Sequence, residues 1–497
     1  MIKTRLLLDW LRLDRSSKEP LYGQLTDQLR RAMARGDLTK GSTLPSSRTL
    51  AGELGVSRNT VLRVYEQLLA EGLLEAAPGS GTVVAADTRA KRLGRQGPQS
   101  QAASGTLPPV SSVLNNLNSS VPWGESFPDS VAFAPGAPAF DRFPTRTWVR
   151  LLAAQSKRMR PDMASEDAHT GGYGPLREAL ALYLRAARQV ECNPDQVFVV
   201  STARAGLEHI CKLIAEPGDA GFLEDPGYIS ARYVMQAAGL RVVPTPVDGE
   251  GIRIGLGERD CPAARLAYVT PSHQYPTGVS LSARRRRDLL DWAQRRGAVI
   301  VEDDYDSEFH FASPPLETLQ GMDGGHHVFY LGTCAKVLFP SLRVAYVVVP
   351  RKYLREFSTT VSYLGRQPPL HVEAALCDFI TGGYFHAHIR RMRRLYERRQ
   401  SILVQALQHG LEGHVAVEKP AGGMQLVLRL PARFSAGRVC AEATARGLLA
   451  LDIERYCVRC DVPNALFLGF AAVPEAEMDV AAAKLSDAII ASAQVVP

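Results

Sequence analysis

From residue 20 onwards the apolar positions first follow a helical period. Leu21, Leu25, Leu29, Ala32 and Met33 recur every three or four residues behind Pro20, which suits a first helical turn, and Gly36 ends the run. Ser46 and Ser57 each precede a further short apolar repeat. A serine there is a good N-cap, because its hydroxyl accepts a hydrogen bond from an amide left open in the first turn. In the helix after Ser57 the expected buried stripe is Val61, Tyr65, Leu68 and Leu69, which leaves Arg58, Asn59, Thr60 and Arg63 at or near its exposed opening. LLEAAPGSGTVVA then reads as two short β runs about a Gly-rich turn. Helix, short helix, tight turn at Gly55, helix and hairpin outline a winged helix-turn-helix.

Beyond Trp123 the period changes. QVFVVS, AGFLEDPGY, LRVVPTPV, RLAYVTPS, GAVIVEDDYD, HVFYLGT and RVAYVVVP are short β-branched runs, with helical stretches such as ARRRRDLLDWAQRR between several of them. This alternation predicts an α/β body with a large, mostly parallel sheet covered by helices on both faces. Binding sites in such sheets lie beyond the carboxyl ends of the strands. The polar clusters EDPGY, PSHQYPTG, EDDYD and GTCAK all stand there. Between the two bodies the chain is rich in Gln, Ser, Gly, Pro and Asn, which is linker composition. The organisation read from the pattern is 15–85, 86–122 as a flexible linker, and 123–497.

Composition adds three constraints. A chain of 497 residues is too long for one core. No apolar run approaches the roughly 20 residues of a membrane span, and the charged N-terminus does not read as a signal peptide, so the cytoplasm is the expected location. Of the 8 cysteines only Cys457 and Cys460 form a CxxC, and it stands alone, so free thiols and no metal site are expected. The charge sharpens the small body's role. Residues 1–100 hold 16 Lys/Arg against 10 Asp/Glu, while the rest is nearly neutral. A basic front end carrying Arg, Asn and Thr at a helix start fits DNA, where such side chains reach base edges and the helix N-terminus favours phosphate.

LPSSRTLAGELGVSRNTVLRVYEQLLAEGLL, residues 44–74, resembles the DNA-binding domain of the GntR family of bacterial repressors. The resemblance implies DNA contacts from Arg48, Ser57, Arg58, Asn59 and Thr60, with Gly79 and Ser80 in the wing.

The large body has its own chemistry. A strand-end lysine in an apolar pocket can form a Schiff base with an aldehyde, and a carboxylate on a neighbouring strand can hold a pyridine nitrogen protonated. Hydroxyls, backbone amides and an arginine can hold a phosphate. That set describes pyridoxal 5'-phosphate. From about Phe133 onwards the chain resembles a fold-type I aminotransferase of class I/II, and with its front end it resembles the MocR subfamily of regulators. The resemblance implies Lys336 of YLGTCAK as the Schiff-base lysine, Arg343 and Thr333 on the phosphate, and backbone amides of Ala203 and Arg204 beside them. It implies Asp303 on the pyridine nitrogen, Tyr305 at the ring hydroxyl and Tyr228 stacked on the ring. Tyr275 takes the place of the aminotransferase NPTG asparagine. It further implies a head-to-tail homodimer bound to a promoter operator.

Three departures mark the substrate side. Phe467 stands where amino-acid aminotransferases have the arginine that grips the substrate carboxylate, Asp167 where a tyrosine is expected, and Ala335 where a serine often precedes the lysine. A phenylalanine cannot pair with a carboxylate. The expected function is therefore a transcriptional regulator that senses pyridoxal phosphate or an amine condensing with it, with an aminotransferase carrying an accessory N-terminal domain as the alternative.

Overall fold

The computed structural model describes residues 11–17, 19–77, 81–85, 131–158, 169–311, 317–459 and 464–493. The chain divides into two compact units, Met1–Pro109 and Val110–Pro497. The expected linker at 86–122, Asp167 and the wing residues Gly79 and Ser80 lie outside the described residues.

In the first unit three helices form as the apolar period predicts: α1 (Leu21–Arg35), α2 (Ser47–Leu54) and α3 (Arg58–Ala70). Gly36 and Gly55 close α1 and α2 in the left-handed conformation, which glycine adopts without a steric penalty. Ser46 accepts from the Thr49 amide and Ser57 from the Thr60 amide, each at 3.1 Å, so both serines are N-caps. The core joins Leu25, Leu29 and Met33 of α1 to Val61, Val64, Tyr65 and Leu68 of α3. One expectation fails. Leu69 is 37% exposed and Val64 is fully buried in its stead, because Val64 lies three and four residues from Val61 and Leu68 and shares their face, whereas Leu69 turns off it. The Tyr65 hydroxyl donates to the Pro45 carbonyl at 2.7 Å and ties α3 to the segment ahead of α2. Antiparallel strands β1 (Leu74–Ala77) and β2 (Gly81–Val84) form the wing.

The second unit is built on an eight-stranded sheet of β3 (Val197–Val200), β4 (Ala220–Asp225), β5 (Arg241–Asp248), β6 (Gly251–Ile252), β7 (Leu266–Val269), β8 (Val299–Asp304), β9 (Val328–Thr333) and β10 (Ala345–Val348). Their spatial order is β3-β10-β9-β8-β7-β4-β5-β6. The central run from β9 to β5 is parallel, while β10 is antiparallel to both its neighbours and β6 to β5. All seven predicted strands are present. Strands β4, β7 and β8 are buried at every position, the pattern of a sheet covered on both faces. A second sheet that the pattern did not predict, β11 (Gln425–Arg429), β12 (Leu451–Asp452) and β13 (Ala465–Gly469), is ordered β11-β13-β12. A 27-residue helix, Tyr384–Gly410, runs ahead of it.

No helix among the described residues is long and apolar enough to cross a membrane, and no described group of His, Cys, Asp and Glu could hold a metal ion.

Candidate functional site

The carboxyl ends of β3, β4, β7, β8 and β9 open onto one cavity of about 200 Å³. Its lining brings together all nine residues expected at the cofactor: Ala203, Arg204, Tyr228, Tyr275, Asp303, Tyr305, Thr333, Lys336 and Arg343. Each reaches the cavity for a local reason. Asp303 and Asp304 are consecutive in β8, so their side chains leave opposite faces of the sheet. Asp304 accepts from Arg188 (2.6 Å) and from the Tyr330 hydroxyl (2.5 Å), and is thereby committed to the far side. Burial opposes its ionisation, but the Arg188 charge and these hydrogen bonds hold its pKa below the ordinary value. Asp303 faces the cavity. Its Oδ2 accepts from the Tyr268 hydroxyl, while Oδ1 is buried with no partner among the described residues. Burial pushes this carboxyl up to about 7.

Lys336 follows β9, and its Nζ donates to the carbonyl oxygen of Gly136 at 2.9 Å. That approach requires glycine, since Gly136 has φ +69° and a Cβ there would stand 2.5 Å from Nζ. Thr333 ends β9, and its hydroxyl accepts from the Ala335 amide at 3.1 Å. The helix Ala203–Ile214 starts at the cavity. Its N-cap Thr202 accepts from the Ala205 amide at 3.0 Å, and the amides of Ala203 and Arg204, too early in the helix for an intrahelical acceptor, remain available to an anion. Arg343, exposed and at φ +56°, stands just before β10. An unpartnered carboxylate oxygen and a helix start with arginines, both on this lining, fit a protonated ring nitrogen and a phosphate respectively.

Phe467 lies on β13 and is 1% exposed, outside the cavity lining. Its ring meets Tyr275 at 5.2 Å and Tyr456 at 5.6 Å between centroids, both edge-on, and Tyr275 in turn meets Tyr228 at 5.4 Å. Phe467 is thus enclosed in aromatic packing behind Tyr275, which lines the cavity together with Tyr228. Ala335 lines the cavity with no hydroxyl to offer.

Sequence reasoning missed several contributors. Tyr268 sits one strand from Asp303, a relation visible only once β7 and β8 are paired. Glu224, buried and pushed up to about 7, holds the Thr270 hydroxyl at 2.6 Å and so anchors the loop that carries Tyr275. Gln425, at the start of β11, has an amide nitrogen buried without a partner among the described residues, 3.7 Å from the position a Gly136 Cβ would take beside Lys336. No local motif marks it.

In the first unit, Arg48, Ser57, Arg58 and Asn59 are exposed along α2 and the opening of α3, and Thr60 is half-buried with its hydroxyl 2.8 Å from that of Ser57. Arg63 has a packing task instead, its guanidinium lying 4.2 Å from the Tyr22 ring centroid.

Comparison with known proteins gives matches to both units. Residues 144–485 match the aminotransferase class I and II family, and residues 21–84 match the gntR family of bacterial regulatory proteins. The chain is 38% identical over 484 residues to a probable rhizopine catabolism regulatory protein, MocR, of Rhizobium meliloti, covering 96% of each chain. It is 32% identical over 466 residues to the pyridoxine biosynthesis transcriptional regulator PdxR of Corynebacterium glutamicum, covering 94% of this chain and 95% of the relative. A kynurenine aminotransferase of Pyrococcus horikoshii shares the fold of the large unit, with a TM-score of 0.67 and 23% identity over 78% of this chain and 96% of that one. A gntR-type winged helix followed by an aminotransferase fold, matched along nearly the whole chain by a regulator of the same build, makes this protein a member of the MocR subfamily of GntR-type transcriptional regulators.

Proposed function

We propose that this DNA-binding regulator holds pyridoxal 5'-phosphate in the large unit and that occupancy of the cavity, by the cofactor or by an amine that joins it, changes how the small unit engages its operator. The observation that carries the reading is the meeting of nine residues from separate segments around one cavity, with a buried carboxylate oxygen left unpartnered at Asp303. When bound, the cofactor supplies an aldehyde for amine chemistry and a ring that draws electrons. The chain's own residues then divide the work. Lys336 would present the amine that condenses with the aldehyde, Asp303 Oδ1 would accept from the ring nitrogen, Tyr305 would reach the ring hydroxyl and Tyr228 would stack on the ring. Arg343, Thr333 and the amides of Ala203 and Arg204 take the phosphate. Arg48, Ser57, Arg58, Asn59 and Thr60, with Gly79 and Ser80, meet the DNA, and two copies pair head to tail as a homodimer.

The aromatic closure around Phe467 favours sensing over amino-acid turnover, because it offers no cation to a substrate carboxylate. A ligand changes a conformational equilibrium only through a difference in its contacts with the two states, so the effector must bind them unequally. The test joins a spectrum to a mobility shift. The purified protein is expected to absorb in the visible with the cofactor and to lose that band in Lys336→Ala, and the cofactor is expected to alter retardation of the DNA upstream of its own gene. An unchanged spectrum in the variant would remove Lys336 from the site. Steady amino-acid transamination at ordinary enzyme rates would favour the enzyme reading.

A further inference from the structure

The helix Tyr384–Gly410 carries six arginines within RRMRRLYERR, residues 390–399. Three have tasks in the fold. Arg391 donates to the Arg142 carbonyl at 2.6 Å, Arg393 to the Glu308 carbonyl at 2.9 Å, and Arg399, fully buried, lies between Asp141 (3.2 Å) and Glu475 (3.0 Å). The other three, Arg390, Arg394 and Arg398, are exposed and form no hydrogen bond or ion pair among the described residues. Spaced four apart, they stand on one face of the helix. Like charges at that spacing repel and weaken a helix, so this arrangement gives the fold no stability. With Arg142 they border a cleft of about 480 Å³ whose acid, Glu475, is already held by Arg399 and Arg142.

We infer that this ridge is a second DNA-contacting surface, on the large unit, that holds the phosphate backbone beyond the segment read by the winged helix. Outside its first 100 residues the chain is almost neutral, so a row of unpaired arginines is a local concentration and not a reflection of overall charge. At a rise of about 1.5 Å per residue, arginines four apart follow one another at about 6 Å along the helix, so the row offers three evenly spaced cations to the phosphates of a strand. The planar guanidinium fork suits phosphate oxygens. Among the described residues the lining of this cleft holds no aromatic or amide side chain for reading bases, and its contribution is to affinity without sequence preference.

The experiment measures binding of the full-length protein to the DNA upstream of its own gene over a range of salt, for the wild type and the triple variant Arg390→Ala, Arg394→Ala, Arg398→Ala. Each phosphate contact contributes about 0.9 to the slope of log affinity against log salt, so for each copy of the chain whose ridge meets the DNA the variant's slope should be shallower by about 2.7. Its disadvantage should then shrink by about 40-fold per such copy between 50 and 200 mM salt. Arg394→Ala alone should lower the slope by about 0.9, and the triple exchange to lysine should retain most of it. On a duplex trimmed to the shortest length that the winged helix binds, wild type and alanine variant should converge. An unchanged slope on the long duplex overturns the inference. So does an unchanged slope with an altered elution volume, which would assign the ridge to contact between copies of the chain.

Discussion

The two units carry their chemistry in opposite ways. In the winged helix the helical residues assigned to DNA lie within thirteen consecutive positions, 48–60, and all but Thr60 are left exposed by the fold, with the wing pair Gly79 and Ser80 following in the chain. In the large unit the assigned residues are scattered from Ala203 to Arg343, converge on strand ends, and are backed by buried pairs such as Arg188 with Asp304. A surface that meets a polyanion keeps its donors in water until the partner arrives. A cavity must desolvate its groups in advance, and each one then depends on neighbours for compensation. Substitutions in the first should therefore change binding without changing stability, whereas many in the second should change both.

The strongest way to break this comparison is Phe467→Arg. It restores the residue type found in amino-acid aminotransferases, but at a position 1% exposed and enclosed by Tyr275 and Tyr456. An uncompensated charge there should destabilise the large unit by about 3–5 kcal/mol, read by urea denaturation. A variant of unchanged stability that transaminates amino acids would show instead that the aromatic wall opens readily and that the substrate side persists.

A paired experiment comes next in size. Arg58→Ala should weaken DNA binding by roughly 5- to 150-fold with the visible spectrum intact, the loss of about 1–3 kcal/mol expected for a good side-chain contact to a base. Arg343→Ala should weaken cofactor binding by a similar factor, since a charged hydrogen bond contributes about 1.5–3 kcal/mol. Both arginines are exposed in the free protein, so neither change should alter stability by more than about 0.5 kcal/mol. Loss of cofactor binding in Arg58→Ala would contradict the division of labour.

Much of this organisation was legible in the sequence, for reasons that differ between the units. The small unit's helices follow from apolar spacing, and its caps from Ser46 and Ser57, all local signals. The seven predicted strands of the main sheet were legible because strands buried on both faces read as short β-branched runs. What escaped was nonlocal. Tyr268 acts on Asp303 through the pairing of β7 with β8, and Gln425 comes beside Lys336 from some ninety residues downstream. The sheet of β11 to β13 was missed because its strands, QLVLR, LD and ALFLG, hold a single valine among them and so present no β-branched run. Phe467 was visible as a departure from a family pattern, but its enclosure by Tyr275 and Tyr456 was not.

The buried carboxylates supply a test by pH. Asp303 has its pKa raised by burial from an ordinary 3.8 to about 7, so the folded, cofactor-free protein holds this proton more tightly than the unfolded chain does. Stability from that group is fully present below the unfolded value and is lost as pH rises through about 7. Glu224, Glu302 and Glu308 are raised to about 7 by the same cause and act in the same direction. The midpoint of thermal unfolding of the cofactor-free protein should fall as pH rises towards neutrality. Asp303→Asn, which cannot ionise, should fall less steeply. Equal slopes would mean that Asp303 is already ionised in the empty cavity.

The smallest effect is expected at Leu69, where apolar spacing and structure disagree. An apolar side chain 37% exposed at the edge of α3 adds little to the core, because most of its surface stays in contact with water in either state. Leu69→Gln should therefore shift the stability of the small unit by no more than about 0.5 kcal/mol, measured by denaturant unfolding. Were Leu69 part of the stripe that Val61 and Leu68 occupy, replacing it would cost about 2–5 kcal/mol, as for other large buried aliphatic residues. A loss of that size would put the side chain inside. It would also rotate the helix face that presents Arg58 and Asn59, so this small measurement checks the orientation on which the DNA-contact assignment depends.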